Sequence, residues 1–325
     1  MRVATLVDKG LEAPVFTSFS RLGYDARKRI ANWQKIDKDL RGIVILLTGA
    51  TSGIGRAAAE HLARQGATLV LVGRNASRNQ TVVDELITAT GNDSITQFPA
   101  DMGELDQVRA LAEHVLSAHH RLDVLIHNAG VLSAERHETS NGTEATVASQ
   151  VIGPFLLTSL LFDRLEASSP ARVLTMSSGG MYTAGLAVSN LEMSADDYKG
   201  AEQYARAKRA QVALNEMWAD RFGDRGIRFH ALHPGWVDTP GVQEALPRFA
   251  KIMGRLLRPL EQGIDTLLWL VSGEEALEVN GKFWHDREQR PTHRLPATHK
   301  TDTDQQRQKL WVWVTEKSGN EPHSQ

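Results

Sequence analysis

From Gly42 onwards, short apolar runs alternate with amphipathic stretches, and this alternation constrains the fold more than any other feature of the sequence. Runs with the length and composition of buried strands occur in "GIVILLT", "ATLVLVG", "ITQFPAD", "LDVLIHNAG", "ARVLTMSS", "IRFHALHPG" and "GKFWHD". The intervening stretches, such as "GRAAAEHLARQG", place apolar residues at helical spacing. Strands that alternate with helices predict right-handed βαβ units. We therefore expect an α/β fold, a single doubly wound Rossmann-type domain with a parallel sheet of about seven strands and helices on both faces.

The same pattern sets the expected boundaries. Residues 42–287 carry the alternation, so 1–41 is predicted to be an N-terminal extension and 288–325 a C-terminal appendage. In the appendage, "QRPTHRLPATHKTDTDQQ" is polar and contains two prolines, which predicts extended chain, and "QRQKLWVWV" predicts a last short helix. Within the domain, "GTEATVASQVIGPFLLTSLLFDRL" predicts one long helix with a kink at Pro154.

Composition excludes several classes of protein. The 325 residues include no cysteine, which excludes disulfides and thiolate sites and favours a cytoplasmic location. The net charge of -2 gives no reason to expect a nucleic-acid partner. No apolar run approaches the about 18 residues of a spanning helix, so no transmembrane segment is expected. The 12 histidines show no metal-ligand spacing, and we expect no metal site.

A glycine-rich turn, "TGATSGIG", lies where the first strand becomes the first helix. Glycines let the backbone turn tightly and approach a pyrophosphate, and the helix N-terminus behind them offers unpaired N–H groups to the anion. The turn therefore predicts a dinucleotide site, to which we assign Gly49, Ser52, Gly53, Ile54 and Gly55. The alternative is a tight turn that binds no ligand.

The end of the second strand indicates which dinucleotide binds. Proteins that read the free ribose of NAD usually carry an acidic residue near this point. Here the sequence has Gly73 followed by Arg74, whose guanidinium can form a bidentate contact with a 2′-phosphate. The sequence therefore favours NADP(H) over NAD(H). The alternative is that Arg74 is only an exposed arginine at a strand end.

Tyr204 and Lys208 stand four residues apart in "EQYARAKRAQ", so a helix places them on the same face. Taken alone, such a pair is more typical of helix surface than of catalysis. Together with the other motifs, the pair is predicted to be catalytic.

Six motifs in order, "TGATSGIG", "FPAD", "HNAG", "RVLTMSS", "YARAK" and "HPGWVDTP", resemble those of the short-chain dehydrogenase/reductases over residues 42–284. "SSGGM", "HPGWVDTPGV" and "SRLGYDARK" further resemble one branch of that family. The resemblance implies that Tyr204 is the general acid/base, Lys208 its partner, and Ser178 the residue that polarises the substrate oxygen. It also implies that Tyr204, Lys208, Asp101, Met102, Asn128, Ala129, Gly130, Val237 and Thr239 contact the cofactor.

The chemistry of the pair agrees with these implied roles. A free tyrosine has a pKa of about 10 and is a poor base at neutral pH. A neighbouring ammonium favours the phenolate, so Lys208 is expected to lower the pKa of Tyr204 and also to hold the nicotinamide ribose. Ser178 is expected to hydrogen-bond the carbonyl as charge develops on its oxygen.

One position departs from the family's pattern. The family usually has an asparagine three residues before the glycine of "QVIGPF", where it anchors a water of the proton relay behind the lysine, and this chain has Gln150 there. Glutamine carries the same amide one methylene further out, so we assign Gln150 to the catalytic set as the holder of a shifted water. The alternative is that Gln150 only packs or caps locally.

The segment at about 240–260 lies where the family places its substrate loop. A lipophilic substrate is predicted from its apolar residues, which either form a lid or simply pack on the core: Val242, Leu246, Phe249, Ile252, Met253, Leu256 and Leu257. A basic set is predicted to lie on the other side, where it either touches a membrane surface or an acidic substrate group or is only a solvated face: Arg248, Lys251, Arg255 and Arg258.

The leading hypothesis is an NADP(H)-dependent oxidoreductase that interconverts a carbonyl and an alcohol on a lipophilic small molecule by a Ser–Tyr–Lys mechanism. One alternative is a non-catalytic NADP(H)-binding sensor or scaffold. A sugar epimerase or dehydratase would show TGxxGxxG and a longer C-terminal domain. A homo-dimer or homo-tetramer is expected, because the helix of "GTEATVASQ" and the helix of Tyr204 commonly form a four-helix interface in this family. The alternative is a monomer, in which the N-terminal extension obstructs that interface.

Overall fold

The computed structural model describes residues 8, 10–12, 14–320 and 322, and an eight-stranded sheet lies at the centre of these residues. Its strands run in the order β3-β2-β1-β4-β5-β6-β7-β8. Strands β1 to β7 are parallel, and β8 pairs antiparallel with β7. The strands are Val44–Thr48 (β1), Thr68–Gly73 (β2), Ile95–Pro99 (β3), Val124–His127 (β4), Ala171–Met176 (β5), Ile227–Leu232 (β6), Lys282–His285 (β7) and Glu288–Gln289 (β8). The predicted doubly wound α/β fold is confirmed, with one short extra strand at the edge.

Helices cover both faces of this sheet, as the alternating pattern predicts. They are Val15–Phe19 (α1), Arg21–Ile30 (α2), Gly53–Arg64 (α3), Ala76–Thr90 (α4), Leu105–Ala118 (α5), Ala145–Val147 continued by Gly153–Leu160 (α6), Phe162–Ala167 (α7), Gly200–Phe222 (α8), Pro240–Ala245 (α9), Pro247–Met253 (α10), Leu260–Ser272 (α11), Pro296–Thr301 (α12) and Asp304–Ser318 (α13). Local residues set several of these ends. The Asn75 side chain accepts the Arg78 N–H at the start of α4, and Gly91 ends it in the left-handed conformation.

Two apolar cores lie on opposite faces of the sheet. One packs α3, α4 and α11 against the strands, and the other packs α5, α6, α8 and α13. Strands such as β1 and β5 are therefore buried along their whole length, which explains why they are continuous apolar runs rather than alternating ones. The strand order reverses between β1 and β4, and an open parallel sheet has its ligand crevice outside the carboxyl ends at such a point.

The predicted long helix differs in detail from the prediction. A π-helical turn, Ala148–Ile152, interrupts α6 just before Pro154, and the helix ends at Leu160, before α7 begins at Phe162. The irregularity therefore lies in the turn before the proline. Proline has no N–H to donate and its ring crowds the carbonyl one turn back, so the backbone relaxes there.

The C-terminal appendage also differs from its prediction. The segment predicted to be extended contains α12, so that prediction is wrong for Pro296–Thr301, and the predicted short helix is α13, with 15 residues. Leu310, Trp311 and Val314 of α13 are buried in the core with residues of α6 and α8. Their burial explains why so polar a sequence is ordered here.

Candidate active site

The predicted site residues meet at the carboxyl edge of the sheet, where parallel strands all end on the same side. The glycine turn follows β1, Asp101 follows β3, and Asn128 follows β4. Ser178 follows β5, while Tyr204 and Lys208 come from α8, which packs beside it. The topology therefore brings together residues from distant parts of the sequence.

The glycine turn is packed too closely for side chains. Gly49 has a φ of +68°, and a Cβ built on it would lie 2.8 Å from the Cα of Ala129. A Cβ on Gly55 would lie 2.1 Å from the Gly49 oxygen. Over Gly53, by contrast, the nearest atom to such a Cβ is a Thr239 methyl carbon at 3.5 Å. The turn is therefore closed towards β4 and less crowded towards Thr239.

The first turn of α3 keeps N–H groups available for an anion. Ser52 is the N-cap residue, but its side chain accepts no capping hydrogen bond. The N–H groups at the start of a helix, here from Gly53, Ile54 and Gly55, have no partner inside the helix and carry its positive dipole end. These residues fit a dinucleotide pyrophosphate, with Thr239 beside them as the N-cap of α9.

Asn128 and Thr48 hold the glycine turn against the end of β4. The Asn128 amide donates to the main-chain oxygens of Thr48 (3.0 Å) and Gly49 (3.1 Å). The N–H groups of Asn128 and Ala129 both donate to the Thr48 hydroxyl, at 3.0 and 3.1 Å. Asn128 therefore fixes the shape of the glycine turn. The sequence prediction did not include Thr48, whose position directly before "GA" was its only signal.

The packing around Gly73 explains why no acidic residue stands at the end of β2, where the adenine side of a dinucleotide is expected. A Cβ on Gly73 would lie 2.4 Å from Oδ1 of Asn79, so this position has no room for a side chain. Arg74, the next residue, is exposed. After β3, one carboxylate oxygen of Asp101 accepts the Gly103 N–H at 2.9 Å, and Met102 is buried. Arg74 follows β2, the neighbour of β1 and its glycine turn, and Asp101 follows β3 on the other side of β2.

Ser178 and Tyr204 face each other across Gly180. The Ser178 hydroxyl accepts the Gly180 N–H at 3.2 Å and caps the 3-10 turn Gly179–Thr183. A Cβ on Gly180 would lie 3.6 Å from Oγ of Ser178 and 3.8 Å from Cδ1 of Tyr204. Glycine at this position leaves the hydroxyl and the ring without an intervening side chain.

Lys208 lies beneath the tyrosine. Its Nζ is 5.2 Å from the centre of the Tyr204 ring and donates to the Met176 oxygen at 2.9 Å. Burial lowers the pKa of Lys208 to about 7. Burial also raises the pKa of Tyr204, and a hydrogen bond with the Ser178 side chain opposes that rise.

The direction of this tyrosine shift corrects the sequence prediction, which has the ammonium lowering the pKa of Tyr204. Both groups lie in surroundings where a charge is poorly solvated, so each is driven towards its neutral form. A bound group that solvates or pairs with the lysine charge would restore the predicted effect.

Gln150 lies in the π-helical turn of α6 and is fully buried. Its Nε2 donates to the Val131 oxygen at 2.8 Å, but its Oε1 has no hydrogen-bond partner among the described residues. A Cβ built on Gly130 would lie 3.1 Å from that Oε1 and 3.3 Å from Nζ of Lys208. The two polar groups thus border the same space above Gly130.

The substrate-loop segment is partly packed and partly open. Met253 and Leu257 are buried in a small cluster with Ala250 that is built from residues of this segment and Trp236, so the choice between a lid and packing on the core stays a prediction. Ile252, in contrast, is 81% exposed and Leu246 is 36% exposed. Val242, Phe249 and Leu256 pack partly against the same cluster.

Arg258 contradicts the predicted basic face. Arg248, Lys251 and Arg255 are exposed, but Arg258 is fully buried and its guanidinium binds Asp286 at 2.6 and 2.9 Å. The sequence did not reveal its partner because Asp286 lies 28 residues away and only the fold brings the two together.

Val237 begins the segment that leads into this loop. It is 3% exposed, and a Cβ on Gly263 would lie 2.6 Å from its Cγ2. Val237 is therefore fixed against α11, with Thr239 two residues on at the glycine turn.

In the described part of the chain, no three His, Asp or Glu side chains are grouped to hold a metal ion. None of its helices is long and apolar enough to cross a bilayer.

Comparison with known proteins links this geometry to one family. The profile of the family described as short chain dehydrogenase matches residues 43–248. Dehydrogenase/reductase SDR family member 12 of Homo sapiens is 36% identical over 293 residues, which cover 90% of this chain and 91% of that protein. Retinol dehydrogenase 12 of Homo sapiens is 29% identical, over 86% of this chain and 90% of that protein.

A solved structure agrees with these relatives. The crystal structure of a short chain dehydrogenase from Shigella flexneri complexed with NADP has a TM-score of 0.63 and 25% identity. The match covers 78% of this chain and all of that one. The similarity thus extends from the sequence motifs to the fold of a protein in which the cofactor is bound.

Proposed function

The chain belongs to the short-chain dehydrogenase family of NAD(P)-dependent oxidoreductases, and we propose that it uses NADP(H) to interconvert a carbonyl and an alcohol on a lipophilic small molecule. The observation that carries this proposal is the meeting of Ser178, Tyr204 and Lys208 at the carboxyl edge of the sheet. There the hydroxyl and the ring face each other across Gly180, and the ammonium lies 5.2 Å from the ring centre.

The cofactor would lie across the edge of β1, β2 and β4. Its pyrophosphate would rest on the N–H groups of α3, and its adenine would lie near Asp101 and Met102. The nicotinamide end would reach Asn128 to Gly130, Val237 and Thr239. Bound there, it would supply or accept the hydride of the reaction.

The side chains handle the proton and the substrate oxygen. In the reducing direction, the Ser178 hydroxyl donates a hydrogen bond to the substrate carbonyl, whose oxygen gains negative charge as the reaction proceeds. The Tyr204 hydroxyl then gives its proton to that oxygen. Burial raises the pKa of this tyrosine, so it holds its proton at neutral pH and is ready to act as an acid. For oxidation it must first lose that proton, and a charged Lys208 favours the loss.

Gln150 is proposed to hold a water that links Lys208 to solvent. Its unpaired, buried Oε1 supports this role, because an acceptor without a partner costs about 1–3 kcal/mol. The space above Gly130 is bordered by this oxygen and by the lysine nitrogen. A water there would accept from Lys208 and donate to Gln150, as buried waters commonly do.

A preference for NADP(H) is proposed from Arg74 and Gly73. Gly73 leaves no space for the acidic side chain that would bind a free ribose. Arg74 is exposed at the end of β2, where a guanidinium can bind a 2′-phosphate. The NADP complex of the Shigella flexneri protein is consistent with this preference.

A lipophilic substrate is proposed from the substrate loop. Exposed apolar residues on it, Ile252 and Leu246, adjoin a cluster that also includes Trp236 and Phe249. The name of the similar retinol dehydrogenase 12 points to a substrate of the same kind. The exposed Arg248, Lys251 and Arg255 leave contact with a membrane surface or an acidic group open as a further proposal.

The test is a panel of lipophilic aldehydes, ketones and alcohols assayed with NADPH, NADH and their oxidised forms. We expect turnover with NADPH or NADP on at least one apolar substrate, and loss of that turnover in Tyr204→Phe. If the protein binds NADPH yet turns over nothing on the panel, the non-catalytic sensor becomes the better hypothesis.

The oligomer and the location remain predictions. The sequence predicts a dimer or tetramer through α6 and α8, but α13 packs on both of these helices, and Trp311 of α13 contacts Phe155 and Trp218 edge to face. The C-terminal helix, rather than the N-terminal extension, thus covers part of the expected interface. A dimer would therefore either include α13 in its interface or form through another face of the protein. The cytoplasmic location still rests on composition alone.

A further inference from the structure

The N-terminal extension is attached to the carboxyl edge of the sheet, next to the proposed catalytic residues. Its helices α1 and α2 are short, but Phe19 at the end of α1 is only 3% exposed. The Phe19 ring packs in a buried cluster with Met181, Tyr182 and Phe283, which come from the turn after Ser178 and from β7. The extension is therefore part of the same packed body as the site.

The Phe19 ring lies directly behind the turn that carries Ser178. Its Cε2 is 2.6 Å from the position of a Cβ on Gly179, the residue after Ser178. The ring also packs against His233, edge to face, with centres 4.3 Å apart. Nδ1 of His233 accepts the Gly179 N–H at 3.1 Å. Phe19 and His233 therefore fix Gly179 from two sides, by packing and by a hydrogen bond.

The Phe19 main chain holds the base of the substrate loop. Its carbonyl oxygen accepts the Trp236 N–H at 2.8 Å and Nε of Arg258 at 3.0 Å. Trp236 lies just before the loop and Arg258 near its C-terminal end, and the Arg258 N–H donates to the Trp236 oxygen at 2.7 Å. One carbonyl of the N-terminal extension therefore ties together both ends of the loop.

Buried charges reinforce this attachment. Asp286, in the turn after β7, binds both Arg258 and Arg27 of α2, each at 2.6 Å. The two guanidinium groups also donate to the Ser18 oxygen, at 3.0 Å from Arg258 and 2.9 Å from Arg27. All three charged side chains are nearly or fully buried. Removing one partner would leave an uncompensated charge inside the protein, so this connection resists loosening.

We propose that the N-terminal helices are a positioning element of the active site, in which Phe19 sets the Ser178 turn through its ring and the substrate loop through its carbonyl. The inference rests on the proposed function. It implies that loosening Phe19 impairs turnover and substrate binding, while the cofactor still binds, because the glycine turn and Arg74 lie on other strands. An error of about 1 Å in the position of a reacting group costs roughly 100-fold in rate.

The test compares Phe19→Ala with Leu22→Ala, a matched control on α2 whose side chain is 55% exposed. We expect Phe19→Ala to lower kcat by about 10-fold to 100-fold, while the Kd for NADPH changes by less than about twofold. Phe19→Leu, which keeps most of the apolar bulk, should recover most of the lost kcat. Leu22→Ala should match the wild type in kcat, in KM and in the Kd for NADPH. A folded Phe19→Ala protein with wild-type kcat and KM overturns the proposal.

Arg258→Lys tests the second half of the proposal, and it carries the test if Phe19→Ala does not fold. Lysine keeps the positive charge but loses the planar fork that binds Asp286 and the main-chain oxygens. We expect the KM for the carbonyl substrate to rise by about tenfold, because the loop loses its tie. NADPH should bind less than about threefold more weakly, because the glycine turn is intact and only the segment of Val237 and Thr239, which pairs with Arg258, is loosened. An unchanged KM overturns this half.

Hydrogen exchange separates this inference from the proposed function. In Phe19→Ala, exchange of the Gly179, Trp236 and Arg258 amides should become faster, while that of β1 amides should not. This readout needs no turnover, so it decides whether Phe19 positions these segments even if the wild type reduces no carbonyl. Unchanged exchange at all three amides overturns the inference.

Discussion

At the scale of single residues, a few side chains at the carboxyl edge of the sheet account for the proposed chemistry. Ser178 and Tyr204 face one another across Gly180, and Lys208 lies within 5.2 Å of the Tyr204 ring centre. The sequence predicted the identity of these residues, but it did not reveal that both titrating groups are buried. Burial drives both groups towards their neutral forms and so changes what each does at neutral pH.

Replacing Tyr204 with phenylalanine removes the proton donor and keeps the ring. We expect kcat to fall by about 10² to 10⁴, the usual contribution of a general acid. NADPH should still bind, since the glycine turn is unchanged. Tyr198→Phe is the matched control, because this partly exposed tyrosine lies just before α8. Near-normal turnover in Tyr204→Phe would contradict the assignment.

The buried lysine makes stability depend on pH. Burial lowers its pKa to about 7, whereas an unfolded lysine titrates near about 10.4, so between these values the unfolded chain binds more protons. Stability therefore rises with pH across this window, relative to Lys208→Met, by on the order of 3–5 kcal/mol. Denaturant unfolding of both proteins without cofactor, at the two ends of the window, measures the change. A constant difference would show that the lysine is not desolvated as described.

Arg74→Ala tests the choice of cofactor. A hydrogen bond to a charged group contributes about 1.5–3 kcal/mol, so NADPH should bind more weakly by that amount while NADH is nearly unaffected. Arg64→Ala is the control, because this half-exposed arginine lies at the far end of α3 and pairs with Glu60. Titration calorimetry with both cofactors measures the effect. Equal affinity of the wild type for NADPH and NADH would refute the role of Arg74.

At the scale of secondary-structure elements, the π-helical turn of α6 matters most. It places the Gln150 side chain inside the protein, where its Nε2 donates to the Val131 oxygen and its Oε1, near Lys208, has no partner among the described residues. The carbonyl of the same residue accepts Nε2 of Gln211 from α8 at 2.6 Å. A regular helix would carry the amide elsewhere, so the irregular turn itself creates this polar space.

Variants of Gln150 separate a relay from simple packing. Gln150→Asn keeps an amide, and a water can bridge the shorter reach, so turnover should stay within about tenfold. Gln150→Leu removes the amide and should lose more, with a larger solvent isotope effect because proton movement is slowed. If Gln150 only packs, both variants would instead melt at lower temperature with unchanged turnover per folded molecule.

At the scale of the whole molecule, both terminal segments belong to the structure that positions the site. The N-terminal helices pack on the Ser178 turn and bind the base of the substrate loop. Helix α13 packs in the apolar core that also contains α6 and α8. Arg209, next to Lys208, joins α8 to the turn after Ser178 and to the C-terminal segment. Its buried guanidinium donates to the oxygens of Met181 (2.9 Å), Ala184 (3.1 Å) and Thr292 (2.8 Å).

Trp311→Ala tests the contribution of α13. This side chain is 7% exposed and packs on Phe155 and Trp218. Its loss should lower the free energy of unfolding by about 3–5 kcal/mol, as for other large buried aromatics. Val312→Ala, where the side chain is 46% exposed, should change it by less than about 0.5 kcal/mol. Equal effects of the two variants would show that α13 is not part of the core.

The sequence alone determined the fold class and most of the candidate site. Hydrophobic periodicity depends only on near neighbours in the chain, so it predicted the strands of the parallel sheet and their helices. The glycine turn and the Tyr204–Lys208 pair are likewise local patterns. Such motifs are visible without the fold because their geometry depends on residues within one turn or one helix face.

Only the tertiary structure decided how the terminal segments and the buried charges are used. Arg258 looks like a surface residue in the sequence, because its partner Asp286 and the Ser18 and Phe19 oxygens are distant along the chain. Phe19 and Trp311 likewise lie outside the alternating pattern of strands and helices, and their burial depends on contacts with β7, α6 and α8. The pKa directions of Tyr204 and Lys208 also came from burial. Packing and desolvation arise from contacts between distant segments, and a local sequence pattern contains no record of them.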